Sequence, residues 1–409
     1  MSGQRFPEVL APAGDLMRLI SAVDFGADAV YVGGRAFSMR STPTNFNDQQ
    51  LLEGVAYAHA RGARVYLACN TLPRCEEAQR LPDYFAFIRD SGVDAVIVSD
   101  IGVLALARRL MPDMEFHIST QAGVVNHLAA NELYALGARR VVLARELSLE
   151  EIRYIRDNTP PDLAIEAFVH GAMCVSFSGR CLLSSYIAGR DANRGECAQP
   201  CRWQYALMEE KRPNEYYPVF EDAAGTYILN AKDLCMIEHI AELVDAGVSS
   251  LKIEGRAKSD YYVSVVTNAY RMAVDGYLAD PAHYHTEQWL IDEVHKVSHR
   301  KYCTGFFYGQ PNNGQYYETG GYVREYDVVA VVDDWQEGMA HCIQRNKLAR
   351  GEVVEVLQPR SRPFELAVNR LVSPEGEELE STPHPMMHFC MPCETPLVKG
   401  TVVRRKAKQ

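Results

Sequence analysis

No run of 18 apolar residues occurs in this 409-residue chain, which argues against a membrane span. The opening MSGQRFPEVLAPAGD lacks the long apolar segment of a secretory signal peptide, so a cytoplasmic location is expected. In that compartment cysteines are more readily free or metal-bound than paired in disulfides. The first strand-like run ends in APAGD, which holds one glycine where a dinucleotide-binding loop needs three. GxSxG is absent and no spacing ties a serine to a base, so no hydrolase elbow is legible. Positive charge is scarce too. The 42 Lys and Arg against 53 Asp and Glu leave a net charge of −11, which opposes a globally basic nucleic-acid binder.

Apolar residues make up 47% of the chain and charged residues 23%, enough for a large core with disorder limited to short loops. Short β-rich runs recur between helical stretches: 7–12, 28–34, 63–69, 94–100, 115–120, 139–145, 164–170 and 249–255. Several read as buried rather than alternating, as parallel strands covered by helices do. Glycines at 26, 62, 92, 137 and 247 punctuate each helix-to-strand passage. The pattern predicts an α/β chain with a (βα)₈ TIM-like barrel, an open doubly wound sheet being the alternative. The barrel is expected over 1–280, with a cysteine-bearing insertion at 171–248 and a connector at 281–320. From 321 to 409 short β-like segments alternate with polar turns, which predicts a small β-barrel or sandwich domain.

Five of the eleven cysteines (Cys174, Cys181, Cys197, Cys201 and Cys235) fall in that insertion, among Arg180, Arg190, Arg194 and Arg202. Gathered thiolates suit an iron–sulfur cluster or zinc. Cys174, Cys181, Cys197 and Cys235 are the first choice of ligands, with Cys201 able to replace one. Spacing alone does not separate the two metals, and buried or accidentally grouped thiols are the third reading. Cys390 and Cys393 form a separate CxxC, read as structural or incidental.

In a barrel, functional side chains collect at the C-terminal ends of strands. That rule selects Tyr31, Asn70, Gln121, Asn126, Arg145 and Arg256 as substrate-binding candidates, and Glu166, His170 and Glu254 as proton handlers. Arginine forks match carboxylates, and the amides of Asn70 and Gln121 suit a planar ligand.

The run Glu166-Ala-Phe-Val-His-Gly-Ala-Met-Cys174, followed by Ser178-Gly-Arg-Cys181 and Ser184, resembles the signature of the U32 "peptidase" family. LAPAG at 10–14, YVGG at 31–34, STQAG at 119–123, ARE at 144–146, NRGECAQPCR, AKDLC at 231–235, KIEGR at 252–256 and SHRKYCTGFFYG at 298–309 extend the likeness. It implies an oxygen-independent hydroxylase carrying a 4Fe-4S cluster on Cys174, Cys181, Cys197 and Cys235. The C-terminal domain makes the chain most similar to members that form 5-hydroxyuridine at the tRNA wobble position with prephenate as co-substrate. The implied partners are therefore tRNA and prephenate, with Arg180 among the residues that would hold them. A homo- or hetero-oligomer is left open. The alternatives are a collagenase-like protease of the U32 type and a metal-stapled RNA or protein adaptor.

Overall fold

Each β-rich run becomes a strand, and each intervening amphipathic stretch a helix packed outside it. The computed structural model describes residues 7–39, 45–174, 176, 178, 181–190, 197–202, 220–222, 225–227, 231–309 and 323–407. Strands β1 (Glu8–Pro12), β2 (Ala29–Gly33), β3 (Arg64–Cys69), β4 (Ala95–Val98), β5 (Glu115–Ile118), β6 (Arg140–Val142) and β7 (Ala164–Ala172) pair in parallel, in chain order. A separate hairpin, β8 (Phe220–Asp222) with β9 (Gly225–Tyr227), and then β10 (Asp233–Cys235), antiparallel to β7, precede β11 (Ser250–Ile253). Pairing of β11 with both β7 and β1 closes an eight-stranded parallel barrel, as the repeating pattern predicts. Strand β12 (Tyr302–Cys303) adds to β10.

The outer layer is built by α1 (Leu16–Asp24), α2 (Asp48–His59), α3 (Cys75–Ala78), α4 (Leu81–Asp90), α5 (Ile101–Leu110), α6 (His127–Ala135) and α7 (Leu149–Asp157). The insertion carries α8 (Leu183–Ala188), and α9 (Ile240–Asp245), α10 (Asp260–Ala279) and α11 (Gln288–His295) follow. Side chains at strand-following positions start these helices. Asp15, Asn47, Asp100, Asn126, Ser148 and Ser259 each accept a backbone N–H of the first turn.

Outward residues such as Val9, Ala11, Val30, Val32, Val65 and Leu67 join the helices in one core. Inward residues Leu10, Ala29, Tyr31, Tyr66, Ala95 and Ile97 form a smaller cluster inside the barrel. Beside it lies a buried ionic network. Arg140 Nη1 donates to Glu8 Oε1 at 2.6 Å and to Glu166 Oε2 at 2.9 Å, and Lys252 Nζ reaches Glu166 Oε1 at 2.6 Å. Tyr66 and Ser250 donate to Glu8 as well. Burial alone would raise the Glu8 carboxyl, but Arg140, Arg64 and the Tyr66 hydroxyl overcome it and hold the pKa at about 2.

The C-terminal region departs from the closed small barrel expected of it. Strands β13 (Tyr326–Gln336), β14 (Met339–Gln344), β15 (Val353–Leu357), β16 (Phe364–Ala367), β17 (His388–Pro392) and β18 (Val402–Lys406) form one sheet in the order β16-β15-β18-β13-β14-β17. Its two end strands, β16 and β17, do not pair, so the sheet is an open half-barrel. It packs against the α/β barrel through Arg404, which is fully buried. This guanidinium donates to Glu293 Oε1 at 2.5 Å and Glu355 Oε2 at 2.8 Å, and Lys296 bridges the same two carboxylates. Arg405 pairs with Glu352. Of the basic residues in VVRRK, Arg404 is therefore spent on the domain contact, Arg405 on a pair within the sheet domain, and Lys406 is exposed.

Candidate active site at the barrel mouth

A cavity of about 250 Å³ opens where strands end in their C-terminal direction. Period-two alternation builds its wall, with Lys252, Glu254 and Arg256 following one another up β11 and its exit. Tyr31, Asn70, Gln121, Arg145 and Phe168 come from other strand ends, and Cys174, Cys181, Cys197 and Cys201 form the rim contributed by the insertion.

The polar lining is held in place by short-range bonds. Tyr31 OH donates to Ile253 O at 2.9 Å and lies 3.4 Å from Glu254 Oε2. Arg256 Nη1 donates to Ser38 Oγ at 2.9 Å, and its Nη2 to Met39 O at 2.7 Å and Asn45 Oδ1 at 3.2 Å. Asn70 Oδ1 accepts Met39 N–H at 3.1 Å while its Nδ2 faces Ser119 Oγ at 3.4 Å, and Gln121 Oε1 accepts from Ser99. The Lys252 ammonium lies 4.4 Å from the Tyr31 ring centroid, and the Arg145 guanidinium 4.7 Å from that of Phe168. Such cation–aromatic contacts keep a buried positive charge within an apolar wall. Next to Arg145, Glu146 is occupied by the Ser178 N–H and hydroxyl.

Other sequence-selected residues lie elsewhere. Asn126 caps α6, accepting Ala129 N–H at 2.9 Å. Glu166 sits below the cavity, where Lys252 and Arg140 outweigh its burial and keep its carboxyl below the ordinary range. His170 belongs to a buried aromatic cluster outside the mouth. Tyr302 OH lies 3.3 Å from its Nε2 and Tyr270 OH 3.4 Å from its Nδ1. Burial, with His299, Lys258 and His295 nearby, pushes its pKa down to about 3. Arg180 lies outside the described residues. Phe168, Ser38 and Asn45, which were not among the sequence candidates, shape the site. Phe168 carried a signal, since it stands two residues after Glu166 on the same inward face.

The four-thiolate site is corrected. Among the described residues no three His, Cys, Asp or Glu side chains form a group that could hold a metal ion, so neither a 4Fe-4S cluster nor zinc fits the donors present. Cys174, Cys181, Cys197 and Cys201 share the cavity rim without converging into such a group. Cys235, the fourth expected ligand, is on β10 in register with His170 and bonded to Tyr270, and burial takes its thiol up to about 12. Its antiparallel strand diverts it into the aromatic cluster, away from the rim. In the half-barrel, Cys390 Sγ lies 3.3 Å from His341 Nδ1, and Cys393 is buried in that sheet's core.

Residues 14–316 match the profile of "Peptidase family U32", and residues 324–404 that of "Peptidase family U32 C-terminal domain". The chain is 38% identical to the tRNA hydroxylation protein P1 of Bacillus subtilis, over 93% of this chain and 90% of that one. It is 35% identical to tRNA hydroxylation protein P of Escherichia coli, over 92% and 91%. A Methanocaldococcus jannaschii protein described as an uncharacterized protease is 43% identical over 79% of each chain.

Proposed function

The chain belongs to peptidase family U32, and from that premise we propose that it is a tRNA-modifying enzyme forming 5-hydroxyuridine at the wobble position. The observation that carries this reading is the near full-length similarity to tRNA hydroxylation proteins, coinciding with a base-sized, largely apolar cavity at the barrel mouth into which a few polar side chains project. A uridine presented there would be unstacked or flipped from the anticodon loop. Asn70 and Gln121 would read its polar edge, with Tyr31 and Phe168 providing the aromatic wall. Glu254 is the proton-handling group of this proposal, because its carboxylate lines the cavity within reach of the Tyr31 hydroxyl. Arg145, Lys252 and Arg256 supply positive charge for a carboxylate co-substrate such as prephenate.

The family label also suggests proteolysis. No histidine is among the described residues lining the mouth, so its thiols and serines have no imidazole partner there. That favours RNA modification over peptide cleavage.

Nucleoside analysis of tRNA from cells lacking the gene tests the proposal. Wobble 5-hydroxyuridine is expected to fall, and to fall equally in cells that cannot make prephenate. Undiminished 5-hydroxyuridine in a strain without a paralogue rejects the substrate assignment.

A further inference from the structure

A second concave surface, about 1230 Å³ in volume, runs between the barrel helices and the half-barrel sheet. Its barrel wall comes from α1 and the start of α10, and its other wall from β13, β14 and the turn before β18. We propose that this groove holds the sugar–phosphate backbone of the RNA whose base enters the mouth. The inference rests on the tRNA reading above and adds to it a binding surface remote from the reacting base.

Charge is the first argument. In a chain of net charge −11, the groove gathers Arg61, Arg324, Arg345, Arg360 and Lys399 against only three carboxylates. Three of these cations are paired, Arg61 with Asp24, Lys399 with Asp333 and Arg324 with Asp327, which leaves the excess charge on the other two. Among the described residues Arg345 and Arg360 have no carboxylate partner. The Arg345 guanidinium donates to the Gln344 carbonyl and the Met386 sulfur, and Arg360 bonds Asn268 through its backbone N–H. Unpaired guanidinium forks on a concave wall match phosphate oxygens.

Continuity is the second argument. Arg256 lines the mouth, and Ser259 and Asp260, three and four residues on, line the groove. Three residues span at most about 10 Å, so the two surfaces adjoin. Lys258, between them, ties the junction by donating to Ser298 O, itself in the groove wall. In the proposed path an RNA strand leaving the mouth crosses this junction to reach the groove. There the exposed side chains of Met17 and Val398 offer apolar contact to riboses and bases between the cations.

The test measures binding of the full chain to an unmodified tRNA transcript across a salt series. Arg345→Gln with Arg360→Gln is expected to weaken binding roughly tenfold and to flatten the slope of log Kd against log salt by about 2, one for each phosphate no longer neutralised. Both side chains reach solvent, and an unchanged thermal melt confirms the fold. Wild-type affinity and slope in this folded variant, while a mouth variant such as Asn70→Ala loses affinity, overturn the groove and keep the tRNA reading. No tRNA binding by the wild type rejects both. A dimer that the double substitution dissociates assigns the groove to a second copy and overturns the RNA proposal.

Discussion

At the scale of single residues, the barrel interior is held by charges whose protonation sets the acid limit of the fold. Glu8 keeps its carboxylate down to about pH 2 when folded, against an ordinary value of 4.5. Its stabilisation is complete above pH 4.5 and is lost as pH falls toward 2. His170 is buried neutral, with a folded pKa near 3 against 6.5. The unfolded chain therefore binds the His170 proton first, and stability declines from pH 6.5 downward. The slope from this residue is about 1.4 kcal/mol per pH unit, measurable as a falling urea midpoint. His170→Phe should flatten the decline between pH 6.5 and 4.5, while Glu8→Gln should cost about 3–5 kcal/mol at pH 7 by leaving Arg140 and Arg64 facing a neutral amide. The strand-end rule reached Tyr31, Asn70, Gln121, Arg145, Glu254 and Arg256, all of which line the mouth. Polarity in an apolar strand context is a local signal, so a sequence can carry it. The thiols misled because their density is also local, whereas coordination requires convergence in space. Cys235 is on a strand that carries it away.

At the scale of elements, one irregularity decides which face of β7 reaches the cavity. Lys252 is in register with Phe168, but the next residue, Ile253, is in register with His170, so Val169 is an extra residue in β7. Such a bulge reverses the alternation beyond it. Glu166 and Phe168 face inward, and His170 turns out with Ile253 to meet Tyr262, Tyr270 and Tyr302. A period-two reading of AIEAFVH puts all three on one face, because the extra residue is fixed by pairing with a strand some eighty positions away. Just past the bulge, Gly171 lets β7 approach the backbone after β11 closely. Its φ is +103°, and a Cβ there would lie 2.4 Å from the Glu254 carbonyl oxygen. Gly171→Ala should therefore lower stability by about 2 kcal/mol or more and shift Glu254, reducing turnover as well as the melting temperature. Retained activity at wild-type Tm would contradict this account of the close approach. All eight barrel strands fall within the runs read from the sequence, apart from the two residues by which β7 overruns its own. The added β10 and β12 do not, since two or three residues are too short to display a period.

At the scale of the whole molecule, the half-barrel is clamped to the barrel by a buried cluster of Arg404, Lys296, Glu293 and Glu355. Removing one member strands the others in a low-dielectric contact. Arg404→Met should cost about 3–5 kcal/mol and let the C-terminal sheet unfold ahead of the barrel, visible as a second transition by calorimetry. The closed barrel anticipated for this region failed for a physical reason. Segment count and turn spacing are the same for a closed sheet and an open one, and the outcome depends on whether the end strands meet. The clamp also sets the geometry of the groove, whose two walls come from the barrel helices and the half-barrel sheet. In the proposed function tRNA is hydroxylated at the barrel mouth. The most direct test is the 5-hydroxyuridine content of tRNA from cells whose sole gene copy carries Glu254→Gln, with protein levels matched. The modification should fall by about 10²-fold or more relative to wild type, the scale of losing a positioned proton carrier. Wild-type levels of 5-hydroxyuridine in that strain would contradict the account.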